Sequence, residues 1–177
     1  TAVLLLDLQR DFLEPTGQMP IDASQVEPVL QTSADLAALA SREGWPVVRV
    51  VNDFDPGDLG NLFRNQAAVR GSLGAEWDAR APSTAEVIVP KQAPDAFSNP
   101  HLAAFLDERQ VMTVFVAGVF ADQCVAATIG SARARGFRVL VVRGGVGAGS
   151  RAAWSAALDG YARQGVELLD EVGALAR

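Results

Sequence analysis

Hydrophobic and polar positions follow two rhythms along this chain. Short unbroken apolar runs alternate with longer stretches in which apolar residues recur every third or fourth position. "AVLLLDL" (2–8) is the first unbroken run, the pattern of a strand buried on both faces. Residues 26–43, "VEPVLQTSADLAALASRE", have helical spacing, with Val29, Leu30, Leu36, Leu39 and Ala40 as the inner stripe. Pro28 fits the first turn of that helix and Gly44 follows its end. "PVVRVVN" (46–52) reads as a second strand and "EVIVPK" (86–91) as a third. Between them, residues 53–85 are punctuated by Gly, Pro and Asp, an excursion of a length that more often serves function than connection alone. Asn99 and Pro100 mark the cap and first position of a helix to Arg109. "VMTVFVAGV" (111–119) is a fourth strand. "DQCVAATIGSARARG" (122–136) is a helix, with Asp122 as its N-cap and Gly136 as its stop. "FRVLVV" (137–142) is a fifth strand, residues 150–165 a helix, and "VELLD" (166–170) a last short strand. Alternating strands and helices with right-handed crossovers predict a three-layer α/β/α sandwich around a mostly parallel sheet.

Composition narrows this picture. A length of 177 residues suits one domain, 1–177, and a 49% hydrophobic content is that of a globular chain. The net charge is -6 and the basic residues are scattered, so neither nucleic acid nor an anionic membrane is an expected partner. No apolar run approaches the roughly 20 residues that span a bilayer, and the opening "TAVLLLDLQRDF" reads as a buried strand rather than a signal peptide. The single cysteine forms no internal disulfide, which makes a reducing cytoplasm the default compartment.

Candidate chemistry collects at one place. Asp7, Lys91 and Cys124 fall at or just past the C-terminal ends of three predicted strands, the edge of an open α/β sheet where ligands bind. A thiolate can attack a carbonyl carbon, a carboxylate can take the thiol proton and return it to a leaving amine, and an ammonium can lower the thiol pKa. The first turn of a helix adds unpaired N–H groups that favour a thiolate and can receive an oxyanion. Each residue also has a plainer reading: a lone Cys as apolar filler, an Asp as a turn residue, a Lys as a solvated strand end.

The segment "DLQRDF" (7–12) resembles the D-x-Q-x-D-F opening of the isochorismatase-like cysteine hydrolases, a superfamily that includes nicotinamidases and N-carbamoylsarcosine amidase. "AGVFADQCVAATIGSARARGFRVLVV" (117–142) is similar to its cysteine segment at Gly118, Val119, Asp122, Cys124, Val125, Thr128, Ala132, Gly136, Phe137 and Val139. "VPKQAPDAFSNPHLAAFL" resembles its lysine segment, with Lys91 and Phe97 in place, and "RGSLGAEWD" (70–78) its R-G-x-x-G-A-E loop. The resemblance implies a six-stranded parallel sheet in the order 3-2-1-4-5-6. It implies Asp7 as general base and acid, Lys91 as cation and Cys124 as nucleophile. It further implies an oxyanion hole from the backbone N–H groups of Phe120 and Cys124, and a cis peptide between Val119 and Phe120. In the implied strand order Lys91 follows a strand two places from that of Asp7, so its long side chain or a bent strand end must close the gap.

Two departures shape the expected function. In nicotinamidases the loop after the second strand carries an Asp and histidines that bind a metal. Here it reads "NDFDPGDLGNLF", with Asp53 in place, Asp55 where a His is expected, and the only histidine, His101, in another helix. Asp53, Asp55 and Asp58 read as an acidic turn rather than a Ca²⁺ or Mg²⁺ site, so no metal and no other cofactor is expected. After the fifth strand the family usually has an Asp-Ala pair, whereas this chain reads "RGGVGAGS" (143–150), a tight strand-to-helix connection or a pocket rim. Gln9, Phe12 and Gln123 are candidates for the pocket, Gln9 and Asp11 for orienting Asp7 or the first loop. Phe63, Trp77 and Phe97 are candidates for pocket walls and equally for core or a subunit interface. The reading that follows is a metal-free cysteine amidase acting on a small amide or ureido compound. Its rivals are an isochorismatase-type vinyl ether hydrolase, which needs no thiol, and a non-catalytic relative. The family implies a homo-oligomer, dimer or tetramer.

Overall fold

The structure is a computed structural model and describes residues 1–173. Seven parallel strands build it: β1 (Ala2–Leu6), β2 (Val47–Asn52), β3 (Val87–Lys91), β4 (Thr113–Val119), β5 (Arg138–Val142), β6 (Val146–Gly147) and β7 (Glu167–Leu169). Five helices accompany them: α1 (Arg10–Leu13), α2 (Ala23–Glu43), α3 (Pro100–Glu108), α4 (Ala126–Ala134) and α5 (Arg151–Arg163). The strand order is β3-β2-β1-β4-β5-β7, with the two-residue β6 paired to the end of β4. This is the expected order, β7 being the sixth strand of the expectation.

The first strand shows why the sheet is covered on both faces. Ala2, Leu4 and Leu6 pack with Leu102 and Leu106 of α3, Ile129 of α4 and Leu158 of α5. Val3 and Leu5 point the other way, into Val29, Leu36 and Ala40 of α2. All five residues of β1 are fully buried. A buried Leu or Val contributes about 1.5–3 kcal/mol relative to exposure, so β1 anchors both core layers and its end is held firmly. At the edge of the sheet, Pro90 on the exposed side of β3 withholds an N–H from any further strand.

Three details differ from expectation. The second helix begins at Ala23, capped by the Asp22 side chain, which accepts from the Ser24 amide at 2.9 Å. Pro28 therefore lies inside the helix rather than in its first turn. The opening turn has no apolar stripe, so periodicity alone starts the helix too late. Asp122 is not an N-cap: Phe120 takes that position, and a π turn (Ala121–Val125) precedes α4. The Phe120 carbonyl accepts from Gln123 at 3.0 Å and from Val125 at 3.1 Å, which widens the turn. The "RGGVGAGS" segment connects β5 to α5, as one of its two readings had it, but it carries a strand that was not expected. Its Val146 and Gly147 pair with Gly118 and Val119 of β4, and both are buried. Among the described residues no helix is long and apolar enough to cross a membrane.

Candidate active site

Strand ends supply the site. Asp7 follows β1 in the left-handed conformation (φ 55°), which a short polar residue tolerates better than a branched one. Opposite it, Gly118 pairs with Leu6. Gly118 has φ 130°, and a Cβ there would run into the Leu6 carbonyl, so only glycine lets β1 and β4 approach this closely. The next peptide bond, Val119–Phe120, is cis, and the chain passes directly into the π turn that carries Cys124. From behind, the buried Tyr161 of α5 donates its hydroxyl to the Ala121 carbonyl of this turn. On the other side, Lys91 at the end of β3 pairs in register with Asn52 at the end of β2.

The side chains converge across these strand ends. Lys91 Nζ lies 3.0 Å from Asp7 Oδ2, with both side chains at most 1% exposed. The same nitrogen donates to Asn52 Oδ1 at 2.6 Å and to Cys124 Sγ at 3.4 Å. Neither Asp7 oxygen accepts a well-aligned hydrogen bond, so the contact of Lys91 with Asp7 is an ion pair. Asn52, the strand-end amide between the two charged residues, is the member that sequence reading missed. Its signal was present: a buried polar residue closing an apolar strand at the same edge. Gln9 holds it in place, with Nε2 donating to the Asn52 carbonyl at 2.9 Å and Oε1 accepting from its amide at 2.9 Å. Gln9 thus ties α1 to β2 and is no pocket wall.

Burial sets the electrostatics. It raises the Asp7 carboxyl above the ordinary 3.8, with the Lys91 charge offsetting part of the effect. Burial alone would lower Lys91, but the charge of Asp7, helped by the contact with the Cys124 sulfur, outweighs it and holds the ammonium above 10.5. For Cys124, burial and the negative charge of Asp7 push the thiol up to about 12, against the pull of Lys91. This corrects the expectation of a lowered thiol pKa: the cation is in contact, but desolvation and the carboxylate win. The resting sulfur is a thiol, and the raised carboxyl beside it is a stronger base than an exposed Asp.

Cys124 opens on a cavity of about 260 Å³ lined by Phe12, Met19, Phe54, Ala67, Pro94 and Phe120, with Asn52, Arg64, Gln92 and Gln123 as its polar groups. Phe12 and Phe120 meet edge to face with ring centres 5.5 Å apart. Phe12 and Gln123, two of the pocket candidates, line this cavity. The other aromatic candidates do not. Phe63 is 92% exposed, Phe97 is buried in the core stacked on Phe137, and Trp77 packs on the α2 side with its indole N–H on the Pro82 carbonyl at 3.1 Å. Asp11 holds the first loop and the excursion together, accepting from the Gln18 amide at 3.1 Å and the Ala68 amide at 2.8 Å.

The acidic turn is occupied by arginines. Arg70 donates to Asp53 at 2.9 Å, and Arg64 pairs with Asp58, whose side chain also caps a short turn at Gly60. His101 is exposed near the start of α3, its amide bound by Asn99. Among the described residues no three His, Cys, Asp or Glu side chains converge.

The Isochorismatase domain family matches residues 1–171. Maleamate amidohydrolase of Pseudomonas putida is 32% identical over 154 residues, covering 82% of this chain and 71% of that protein. N-carbamoylsarcosine amidase of an Arthrobacter species is 28% identical over 157 residues, covering 82% of this chain and 59% of that protein. The crystal structure of an isochorismatase family protein from Desulfovibrio vulgaris superposes with a TM-score of 0.86 at 24% identity, covering 99% of this chain and 98% of that one. The chain belongs to the isochorismatase family.

Proposed function

We propose that this protein is a cysteine hydrolase of small amide or ureido compounds, with Cys124 as nucleophile, Asp7 as general base and acid, and Lys91 as the cation that holds them in register. The contact of one ammonium with both a buried carboxylate and a thiol, 3.0 and 3.4 Å away, carries this reading. The amide chemistry named for the maleamate relative supports it. The cavity, below the roughly 300–1,000 Å³ of drug-sized pockets, suits a small substrate.

In the first step the Asp7 carboxylate takes the thiol proton as sulfur bonds to the carbonyl carbon. The carbonyl electron pair moves to oxygen, which the N–H groups of Phe120 and Cys124 stabilise as an oxyanion. Collapse breaks the C–N bond, and the proton on Asp7 goes to the departing nitrogen, releasing ammonia or an amine and leaving a thioester. Asp7, again a carboxylate, takes a proton from water as its oxygen attacks the thioester carbon. Collapse expels the sulfur, which regains the proton from Asp7, and a carboxylic acid leaves. Lys91 stays protonated throughout and balances whichever of Asp7 and Cys124 carries the negative charge. No step draws on a metal or a cofactor.

The test is ammonia release from a panel of primary amides and ureido acids. Wild type is expected to turn over members of the panel, and Cys124→Ala is expected to lose at least about 10⁴-fold in kcat with unchanged thermal stability. Retained turnover in that variant overturns the mechanism.

A further inference from the structure

A second cavity, of about 290 Å³, lies between the starts of α2 and α5 and the segment that follows β5. It shares no lining residue with the cavity of Cys124. Its walls are held from behind. The Trp154 indole N–H donates to the Val146 carbonyl at 3.0 Å, and Gln25 Oε1 accepts from the Ala148 amide at 2.9 Å. Trp154, Pro28 and Val146 supply its apolar side chains. The charge is one-sided: the guanidinium groups of Arg143 and Arg151 line the cavity and no carboxylate does. Arg143 gives only its Nε–H to Asp170, at 3.1 Å, and that carboxylate is 90% exposed and outside the lining. The two terminal nitrogens of Arg143 have no hydrogen-bond partner among the described residues, and its side chain is 44% exposed. Arg151 is exposed, and among the described residues its side chain makes no hydrogen bond and no ion pair. Asp22, whose charge reaches Arg151, also stands outside the lining, and its Oδ1 accepts from both the amide and the hydroxyl of Ser24, at 2.9 and 2.6 Å. The cavity therefore offers two cations with donors open to solvent, beside a fixed aromatic wall.

We propose that this cavity is a second binding site, for a small aromatic ring bearing an anionic group, an aryl phosphate or an aryl carboxylate. The anionic oxygens accept charge-assisted bonds from the terminal N–H groups of Arg143 and Arg151, whose planar forks match paired oxygens. The ring lies against Trp154 and Pro28. Both parts are needed, because an exposed charge pair alone binds weakly in water and the apolar wall adds the burial of the ring. The volume is at the low end for small-molecule sites and holds one ring with its head group. The site lies in the segment where this chain departs from the usual pattern of its family, and it does not depend on the amidase reading.

The experiment follows the indole N–H signals by NMR. The chain has three tryptophans, and Trp154→Phe assigns the signal that belongs to this cavity. Phenyl phosphate and benzoate are the probes, with benzyl alcohol as a ring without charge and inorganic phosphate as a charge without a ring. At least one aryl anion is expected to shift the Trp154 signal saturably, with a Kd of about 1 mM or tighter. Benzyl alcohol and inorganic phosphate are expected to bind at least about tenfold more weakly. The tighter of the two aryl anions identifies the head group. Arg143→Gln combined with Arg151→Gln is expected to weaken binding at least about tenfold, while the Trp45 and Trp77 signals, which report on the fold, stay in place. The proposal is overturned by the absence of a saturable Trp154 shift, by equal affinity for benzyl alcohol or inorganic phosphate, or by unchanged affinity in the double variant. Cys124 is the only cysteine in the chain, so iodoacetamide labelling reports on the other cavity. Slower labelling without movement of the Trp154 signal would put the anion beside Cys124 and overturn the proposal as well. Neither readout requires turnover, so failure of every amide to react would refute the amidase reading and leave this result standing.

Discussion

The floor of the cavity and its rim are built by opposite means. Asp7, Asn52 and Lys91 close three adjacent parallel strands, and their side chains lie in a buried, mutually bonded group. Cys124 joins them from the turn after β4, the fourth adjacent strand. The rim is the 53–85 excursion, with two short 3₁₀ turns, ion pairs on the surface and side chains such as Leu59, Leu62 and Phe63 turned to solvent. Backbone ladders and two core layers fix the floor, while a few side chains fix the rim. Surface ion pairs contribute little, so the rim depends on its buried links, chiefly Asp11 and Gln9. On the proposed mechanism the reaction chemistry sits where the fold is most rigid, and the outer lining that a substrate would meet lies where the fold is cheapest to vary.

The sharpest way to break the floor is Lys91→Met. Removing one partner of a buried ion pair costs about 3–5 kcal/mol, and here the sign of the pH dependence is set by Asp7. Its carboxyl is already raised by burial against the opposing charge of Lys91. Without the ammonium it rises further. A carboxyl raised in the folded state contributes stability that is fully present below its unfolded value near 3.8 and is lost as pH climbs through the folded value. The stability gap between Lys91→Met and wild type is therefore expected to be smallest near pH 4 and to widen toward neutrality in urea titrations. The acid limb of kcat/KM, which reports ionisation of Asp7, is expected above the ordinary carboxylate range in wild type and higher still in any residual activity of the variant. A gap independent of pH would show that the two groups are not coupled as their 3.0 Å contact implies.

The contrast between floor and rim also explains what the sequence disclosed. Asp7, Lys91 and Cys124 were readable because strand periodicity places its ends without any knowledge of packing, and because a polar residue ending an apolar run is conspicuous. Helix starts were less so. Asp22 caps α2 ahead of any apolar stripe, and Phe120 opens a π turn by backbone geometry alone, leaving Asp122 without the role its residue type suggested. The direction of the thiol pKa was beyond reach, since it turns on desolvation rather than on which charges are near. The rim was least legible. Phe63 and Trp77 look like pocket walls in composition, yet only three-dimensional folding of the excursion decides that Phe54 and Arg64 line the cavity instead. Asn52 lies between these cases, visible at a strand end but unremarkable until its register with Lys91 is known.

A smaller perturbation moves the rim while leaving the strands in place. Gly74 lies against the Asp11 carboxylate so closely that a Cβ would collide with it. That carboxylate binds the amides of Gln18 and Ala68, and Ala67 beside it lines the cavity. Gly74→Ala is expected to cost about 1–3 kcal/mol through overpacking. Because the displaced atoms belong to the rim, KM is expected to rise more than kcat falls. A fall in kcat alone would mean that the floor had moved as well, and that the two regions are less separable than their construction suggests.

The smallest expected effect is at Phe63, which tests the outer limit of the rim. Its ring is 92% exposed, next in sequence to Arg64 but outside the cavity lining. A large apolar side chain in that position buries nothing within the chain, so Phe63→Ser is expected to change folding stability by no more than about 0.5 kcal/mol and to leave kcat/KM unaltered. Dilution makes the same variant more informative. An exposed Phe beside exposed Leu59 and Leu62 is a surface that a second copy could cover, and activity measured across a wide range of protein concentration separates the cases. Superimposable curves for wild type and Phe63→Ser would assign the ring to solvent and end the rim at Arg64. A loss of activity on dilution that Phe63→Ser brings to higher concentration would extend the rim across a subunit boundary, and the floor would then be the only part of the site that one chain completes by itself.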